Sequence, residues 1–419
     1  MTAPLSPAAS GVPVAEAFAA LGTRAGRADP YPWYEAIRAH GPAVWLRPGR
    51  LVVTGYAECG RALRAPGLRV QDAAAYDALS PAWRSHASLR AFTSSMLYSN
   101  PPDHQRLRSV VSFAFTPPRI RALESVIGEM CERLLERLAR LGARGEPVDL
   151  IAEFASRLPV AVISEMIGFG ESDQVFFRDV ASAIAVSTDG SGDPAALERA
   201  DGAMEELSGY LAELTARRRR EPRDDLVTLL TRVHDEDRER LSEEELTGTL
   251  MVLLTAGFET TSFLIGHGVL RALAEPVLAA RLRSDPAFAA PFGEEVLRCE
   301  PPVHVTSRTA SAALDLEGVE VAAGTRLTLI LAAANRDPRR FTDPHRFDPG
   351  RFGAGRGGER PLSFGAGGHF CLGAPLARLE ARIALPRLLA RFPGLRPVQA
   401  PVYRDRWVVR GLETFPVTL

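Results

Sequence analysis

The hydrophobic and polar positions divide this chain into a weakly patterned start, a short alternating stretch, a long helical middle and a tail where short strands return. Residues 1–25 are rich in Pro and Ala and read as loosely ordered. Tyr31 to His40 fits a short helix. Ala43 to Val53 alternates with period two and predicts a small sheet turning at Pro48-Gly49. From about Ser109 the period becomes helical, over Arg119 to Leu141, Leu150 to Ile167, Gln174 to Val186 and Pro194 to Arg219. Strand signals reappear near Ala312 to Val321, Arg326 to Leu331 and Trp407 to Leu419. The class is mainly α with small β-sheets (α+β). With no Ser/Gly-rich linker and no repeat, 1–419 reads as a single large domain. The run Arg217 to Arg220 falls at a helix C-terminus, where cations are favourable, and reads as a solvated helix end.

The longest helical pattern opens on Ser242-Glu243-Glu244-Glu245, a capping box, and runs to Glu275-Pro276, where proline ends it. At roughly 1.5 Å per residue it spans on the order of 50 Å. Leu250 to Leu254 is apolar on nearly every side, which predicts burial. Next comes Ala256-Gly257-Phe258-Glu259-Thr260-Thr261, with an acid and two hydroxyls in the middle of a core helix. Two readings are open for it: a kink with threonine bonding back to its own backbone, or a functional site breaking the local rules.

Composition changes the picture little. The net charge of −1 gives no reason to expect nucleic acid as a partner, and all 50 basic residues are arginine, which with abundant Ala, Gly and Pro points to a GC-rich bacterial genome. The N-terminus carries neither a signal-like apolar core nor a membrane-spanning run, so a soluble cytoplasmic protein without a membrane partner is expected. Cys59, Cys131, Cys299 and Cys371 are scattered without a CxxC pair, which argues against zinc, iron–sulfur clusters and disulfides.

One of these cysteines has an unusual setting. Phe364-Gly365-Ala366-Gly367-Gly368-His369-Phe370-Cys371-Leu372-Gly373 is a glycine-rich loop, and a helical pattern with Pro375 in its first turn follows at once. Cys371 should therefore lie just before a helix N-terminus, where backbone N–H groups and the macrodipole favour a thiolate. Glycines let the backbone approach something large and flat. A lone cysteine is ordinarily a small core residue. This setting instead suits an axial thiolate ligand for haem iron, because a buried thiolate is costly unless bonded to a metal.

The spacing Phe-Gly-x-Gly-x-His-x-Cys-x-Gly resembles the haem loop of the cytochromes P450, with Phe364, Gly365, His369, Cys371 and Gly373 at its fixed positions. Ala256 to Thr261 likewise resembles the family's oxygen-binding motif, with Phe258 at a variable position. The resemblance implies haem b ligated by Cys371, room above a porphyrin at Gly257, a hydroxyl at Thr260 that holds water, and Glu259 linking that site to solvent protons. It implies the P450 fold, with haem between the long central helix and the C-terminal cysteine loop. Glu295 and Arg298 resemble the family's Glu-x-x-Arg, joined by Arg346 in a structural triad. His104, Arg108, Arg308 and His369 match propionate-binding positions; Asn100 stands where many relatives have Asp. Substrate contacts are implied for roughly Val70 to Leu97, Phe176 to Ala185, Leu253 to Glu259, Val303 to Thr306 and near Trp407, and Tyr76, Trp83, Phe92 and Trp407 could line an aromatic pocket.

The implied enzyme is a monooxygenase of the soluble bacterial three-component type. It would hydroxylate or epoxidise an apolar small molecule, free or carrier-tethered, in natural-product biosynthesis. Electrons would come from a separate ferredoxin or flavodoxin and its reductase, drawn to an arginine-rich face around the cysteine loop. Three alternatives stand beside it: an oxidative cyclase or coupling enzyme, a peroxide-driven peroxygenase, and a non-catalytic module recruiting a carrier protein. The intact Glu259 and Thr260 disfavour the second, and an undegraded loop and helix disfavour the third.

Overall fold

A computed structural model describes residues 11–188, 194–353 and 360–419. The helices used below are α1 (Tyr31–Arg38), α2 (Asp103–Ser112), α3 (Gln174–Ala185), α4 (Pro194–Arg220), α5 (Glu243–Ala274), α6 (Ala289–Cys299) and α7 (Ala374–Arg391). The strands are β1 (Ala43–Arg47), β2 (Arg50–Val53), β3 (Leu68–Arg69), β4 (Val305–Ala310) and β5 (Arg326–Ile330). Contacts group the chain into two units, residues 1–69, 131–155 and 260–419 in one and 70–130 and 156–259 in the other; the boundary falls inside α5, between Glu259 and Thr260.

In the first unit the five strands form one sheet in the order β1-β2-β5-β4-β3, antiparallel except where β2 meets β5. The period-two pattern divides its faces as the pleat requires. Leu51, Val53, Leu327 and Leu329 pack with Cys59, Leu63, Leu362 and Ala366. Val44 and Val52 belong to the opposite cluster, with Tyr34 and Ile37 of α1. The tail forms only two- and three-residue strands, among them Leu412–Thr414 and Pro416–Thr418, so Trp407 stands outside the strand expected to begin there. Its ring meets Phe18 edge-on at 5.3 Å. Of the stretch expected to be loose, residues 1–10 lie outside the described set, and helices form at Val14–Ala20 and Arg24–Ala28.

A buried polar cluster sits in this unit. Glu300 pairs with Arg271, with Arg410 at 3.0 Å and with Arg336 at 3.5 Å, and the Tyr31 hydroxyl lies 3.0 Å from its Oε2. Burial alone would raise the Glu300 carboxyl, but the three guanidiniums outweigh it and hold the group well below the usual carboxylate range. Burial pushes His267 down to about 4 against the pull of Glu300, and His304, 3.0 Å from the Tyr34 hydroxyl, is depressed for the same reason. The unfolded chain, with ordinary histidines near 6.5, takes up protons that the folded chain refuses. Stability from His267 is therefore full above about pH 6.5 and is lost as pH falls toward 4. We expect about 2 kcal/mol of unfolding free energy to go between pH 7 and 5 through this residue. Urea midpoints at the two pH values should show a smaller drop for His267→Gln than for wild type; equal drops would clear His267.

The second unit is helical. Helices α3 and α4 pack as neighbours, with the Tyr210 ring against Phe177 at 4.9 Å. The capping box forms as read: Ser242 N–H donates to Glu245 Oε2 at 2.9 Å, and Glu245 N–H to Ser242 Oγ at 3.2 Å. Leu150 to Ile167, expected as one helix, is a wide turn at Ile151–Ala155 followed by a helix over Arg157–Ile167. The arginine run does end α4, but it is not wholly solvated. Arg218 is buried, 2.5 Å from Asp225 and 2.7 Å from the Gly168 carbonyl, so the run also fastens this corner. Asn100 has a local reason: its Nδ2 donates to Val70 O (3.0 Å) and to Asp72 Oδ2 (2.8 Å), and an aspartate there has no N–H to offer. Tyr76 and Trp83 lie 5.7 Å apart, as do Phe92 and Tyr98, and Trp83 and Phe92 are buried; these rings pack on one another.

Candidate active site

Of the four cysteines only Cys371 is exposed. Burial raises the thiols of the others, Cys131 to about 12 and Cys299 to about 11. Cys299, beside the Glu-x-x-Arg pair, is held in the core with Arg298 3.0 Å from its sulfur. The Cys371 loop is built from turns. Cys371 N–H donates to Phe364 O at 2.9 Å, and α7 begins three residues later with Pro375 in its first turn, as the sequence predicts. Gly367 takes φ +70°, and a Cβ there would come 2.5 Å from Leu63 O, so only glycine fits against the helix Tyr56–Arg64. Gly373 adjoins α7, with an added Cβ 4.0 Å from the Cys371 sulfur, and Gly365 and the half-buried His369 lie earlier in the loop. The Arg378 guanidinium sits 4.4 Å over the Phe364 ring while paired with Glu294, which fixes the first residue of the motif.

The loop is tied to the core through Glu295 and Arg298, both with fully buried side chains. Arg298 binds both Glu295 oxygens at 2.7 Å and donates to the carbonyls of Asn335, Pro344 and Arg346. Asn335 passes the link on: its Oδ1 accepts from Leu362 N–H at 2.7 Å, and its Nδ2 donates to Ser363 Oγ at 2.8 Å. Ser363 returns a bond to Leu297 O. Arg346 was expected to complete the triad with its side chain. Its carbonyl does the work instead, and the guanidinium that reaches Glu295 is Arg351, at 3.4 Å. Sequence reading missed Arg351 and Asn335. For Asn335 the available signal was the polar run Asn335-Arg336-Asp337 after the apolar stretch Leu329 to Ala334.

Helix α5 is apolar and long enough to cross a membrane, but 83% of its apolar window is packed inside the protein, as in a core helix. Its midpoint departs from that. Glu259 and Thr261 are buried, whereas Ala256 is exposed and Gly257 and Thr260 are half-buried. Positions 256, 257 and 260 fall on one face, so a strip of small side chains opens in the middle of a core helix. Gly257 has a further reason, since a Cβ there would stand 3.2 Å from Ile163.

Arg308 on β4 is buried. It bonds only neighbours, Ser307 O at 2.7 Å and Thr306 Oγ1 at 3.4 Å, with no carboxylate paired to it among the described residues. Burial pushes it down to about 10. A buried cation without an anion calls for one. His104 is buried on α2, with Arg108 one turn on. An exposed thiol in a turn-rich loop and a buried guanidinium with no carboxylate paired to it, both in the first unit, fit a thiolate-ligated haem with acidic substituents.

The comparisons agree with that fit. The chain is 39% identical to the cytochrome P450 monooxygenase PikC of Streptomyces venezuelae, over 93% of this chain and 91% of the relative. It is a cytochrome P450. The Cytochrome P450 family model matches residues 292–410. The 6-deoxyerythronolide B hydroxylase of Saccharopolyspora erythraea is 36% identical, over 93% of this chain and 96% of the relative. Among solved structures, P450BioI in complex with hexadec-9Z-enoic acid ligated acyl carrier protein superposes with a TM-score of 0.85 at 32% identity, covering 95% of this P450 and all of that chain. The fold is thus the P450 fold, the enzyme a P450 monooxygenase, and its cofactor a thiolate-ligated haem.

Proposed function

We propose that this P450 inserts oxygen into an apolar small molecule of bacterial natural-product biosynthesis, by hydroxylation or epoxidation, in the cytoplasm and with electrons from a separate ferredoxin or flavodoxin. In this reading Cys371 ligates the iron, and His104, Arg108, Arg308 and His369 receive the propionates. The haem supplies dioxygen activation, which a thiolate donor favours. The chain supplies the rest. The thiol loop is held by the buried Glu295–Arg298–Asn335 chain, and Thr260 and Glu259 hold water and hand on protons. The observation that carries the reading is the open strip Ala256, Gly257, Thr260 beside a buried acid, in a stretch of helix, 248–269, that is otherwise buried. The names of two relatives, a monooxygenase and a hydroxylase, support insertion of oxygen, and the carrier-bound neighbour supports a substrate delivered on a protein.

The test has two steps. Precursors of bacterial natural products, free and carrier-linked, are titrated into the ferric protein while the Soret band is followed. A compound giving a saturable low- to high-spin shift is then turned over under ¹⁸O₂. One labelled oxygen in the product is expected. Coupled product without label would move the reading to an oxidative cyclase. Thr260→Ala is expected to keep the haem spectrum and substrate shift but lower product per electron pair several-fold, with peroxide released; unchanged coupling would remove Thr260 from proton handling.

A further inference from the structure

The register of the five-stranded sheet sets four arginines in one row. Arg47 on β1 faces Arg50 on β2, Arg50 faces Arg326 on β5, Arg326 faces Thr309 on β4, and Thr309 faces Arg69 on β3. Residues paired in register share one face of a sheet, and like charges directly opposite are destabilising. Nothing nearby offsets this row. Among the described residues no side-chain hydrogen bond or carboxylate within 4 Å reaches any of the four guanidiniums. Burial lowers the Arg50 guanidinium, and Arg326 and Arg47 push it the same way. Arg47 and Arg69 are exposed, Arg50 and Arg326 half-buried. In a chain of net charge −1, uncompensated like charge in register asks for an anionic partner.

The place and shape of the row narrow the partner. Leu51 and Leu327, next to Arg50 and Arg326, point to the other face and pack with Leu362, ahead of the thiol loop, and with Ala366 within it. The row thus faces away from Cys371. Strands stand about 4.8 Å apart, so Arg47 to Arg69 covers roughly 19 Å in a line. A helix repeats every 5.4 Å, and about 13 residues cover that length. A lipid surface is anionic but offers no line to match.

We propose that this row is the docking site for an acidic helix of a partner protein, with carboxylates one turn apart along one face. The experiment uses the full-length haem protein and a fluorescein-labelled 14-residue helical peptide with Glu at positions 1, 5, 8 and 12. A second peptide of the same composition spreads its glutamates around the helix. Anisotropy at 50 mM NaCl should show the striped peptide binding at least tenfold tighter than the spread one. The double variant Arg50→Glu/Arg326→Glu should lose at least tenfold, with its reduced-CO spectrum intact. Arg50→Thr should raise Tm at low salt, because it relieves repulsion between neighbours. Equal binding of the two peptides, or undiminished binding to the double variant, would overturn the proposal. So would a lower Tm for Arg50→Thr, which would give the row a structural role. Vesicles with 30% phosphatidylglycerol that bind wild type more tightly than the striped peptide does, and lose this in the double variant, would assign the row to a membrane and overturn it likewise.

Discussion

Cys371→Ala is expected to abolish the thiolate-type reduced-CO spectrum completely, with haem content falling to a small fraction of wild type. The reason lies in how the four thiols are placed. Cys59, Cys131 and Cys299 are buried in packed cores, where desolvation raises their pKa and closes them to a ligand the size of a porphyrin. Cys371 alone is exposed, at the head of α7, where helix N–H groups favour a negative sulfur. Cys299→Ala is the matching control. Its sulfur contacts Arg298 inside the core, so the variant should keep a full thiolate spectrum and lose only some stability. A Cys371→Ala protein that retained the spectrum would sink the ligand assignment, and loss of the spectrum in Cys299→Ala would transfer it to the wrong-looking thiol.

How much of this was legible in the sequence depends on whether a residue acts through its type or through where distant segments meet. The capping box, the long buried helix and the turn at Pro48-Gly49 are local matters of spacing, and all three form as read. The thiol loop and the Glu-x-x-Arg pair were legible for the same reason, since each motif is contiguous. The third member of the triad was not. Arg346 and Arg351 both follow Pro344 within a few residues, and only the path of the backbone decides which guanidinium faces Glu295 and which residue offers its carbonyl. Arg218 shows the same limit, because a charged run at a helix end looks solvated until Asp225 folds back against it. The arginine row was invisible for a sharper reason. Its members are 3, 19, 257 and 276 positions from one another along the chain in various pairs, and only strand register makes them neighbours.

Glu295→Ala should be the most destabilising single change in this protein. Arg298 and Glu295 have fully buried side chains, and breaking a buried pair by removing one partner costs about 3–5 kcal/mol, because a charge is left unmatched in the core. The loss does not stop at the pair. Glu295 also accepts from Asp348 N–H at 2.7 Å, and Arg298 holds the Asn335 carbonyl that steadies the approach to the thiol loop. Against a whole-protein stability of roughly 5–15 kcal/mol, this should leave little folded protein and almost no bound haem. Arg351→Ala should cost less, because its guanidinium reaches Glu295 only at 3.4 Å. Arg346→Ala should be milder still, since the carbonyl that Arg298 uses survives the substitution. Urea midpoints and haem content for the three variants should therefore rank Glu295→Ala below Arg351→Ala, and Arg351→Ala below Arg346→Ala. An Arg346→Ala protein as damaged as Glu295→Ala would restore the Arg346 side chain to the triad and reverse the correction drawn from the backbone path.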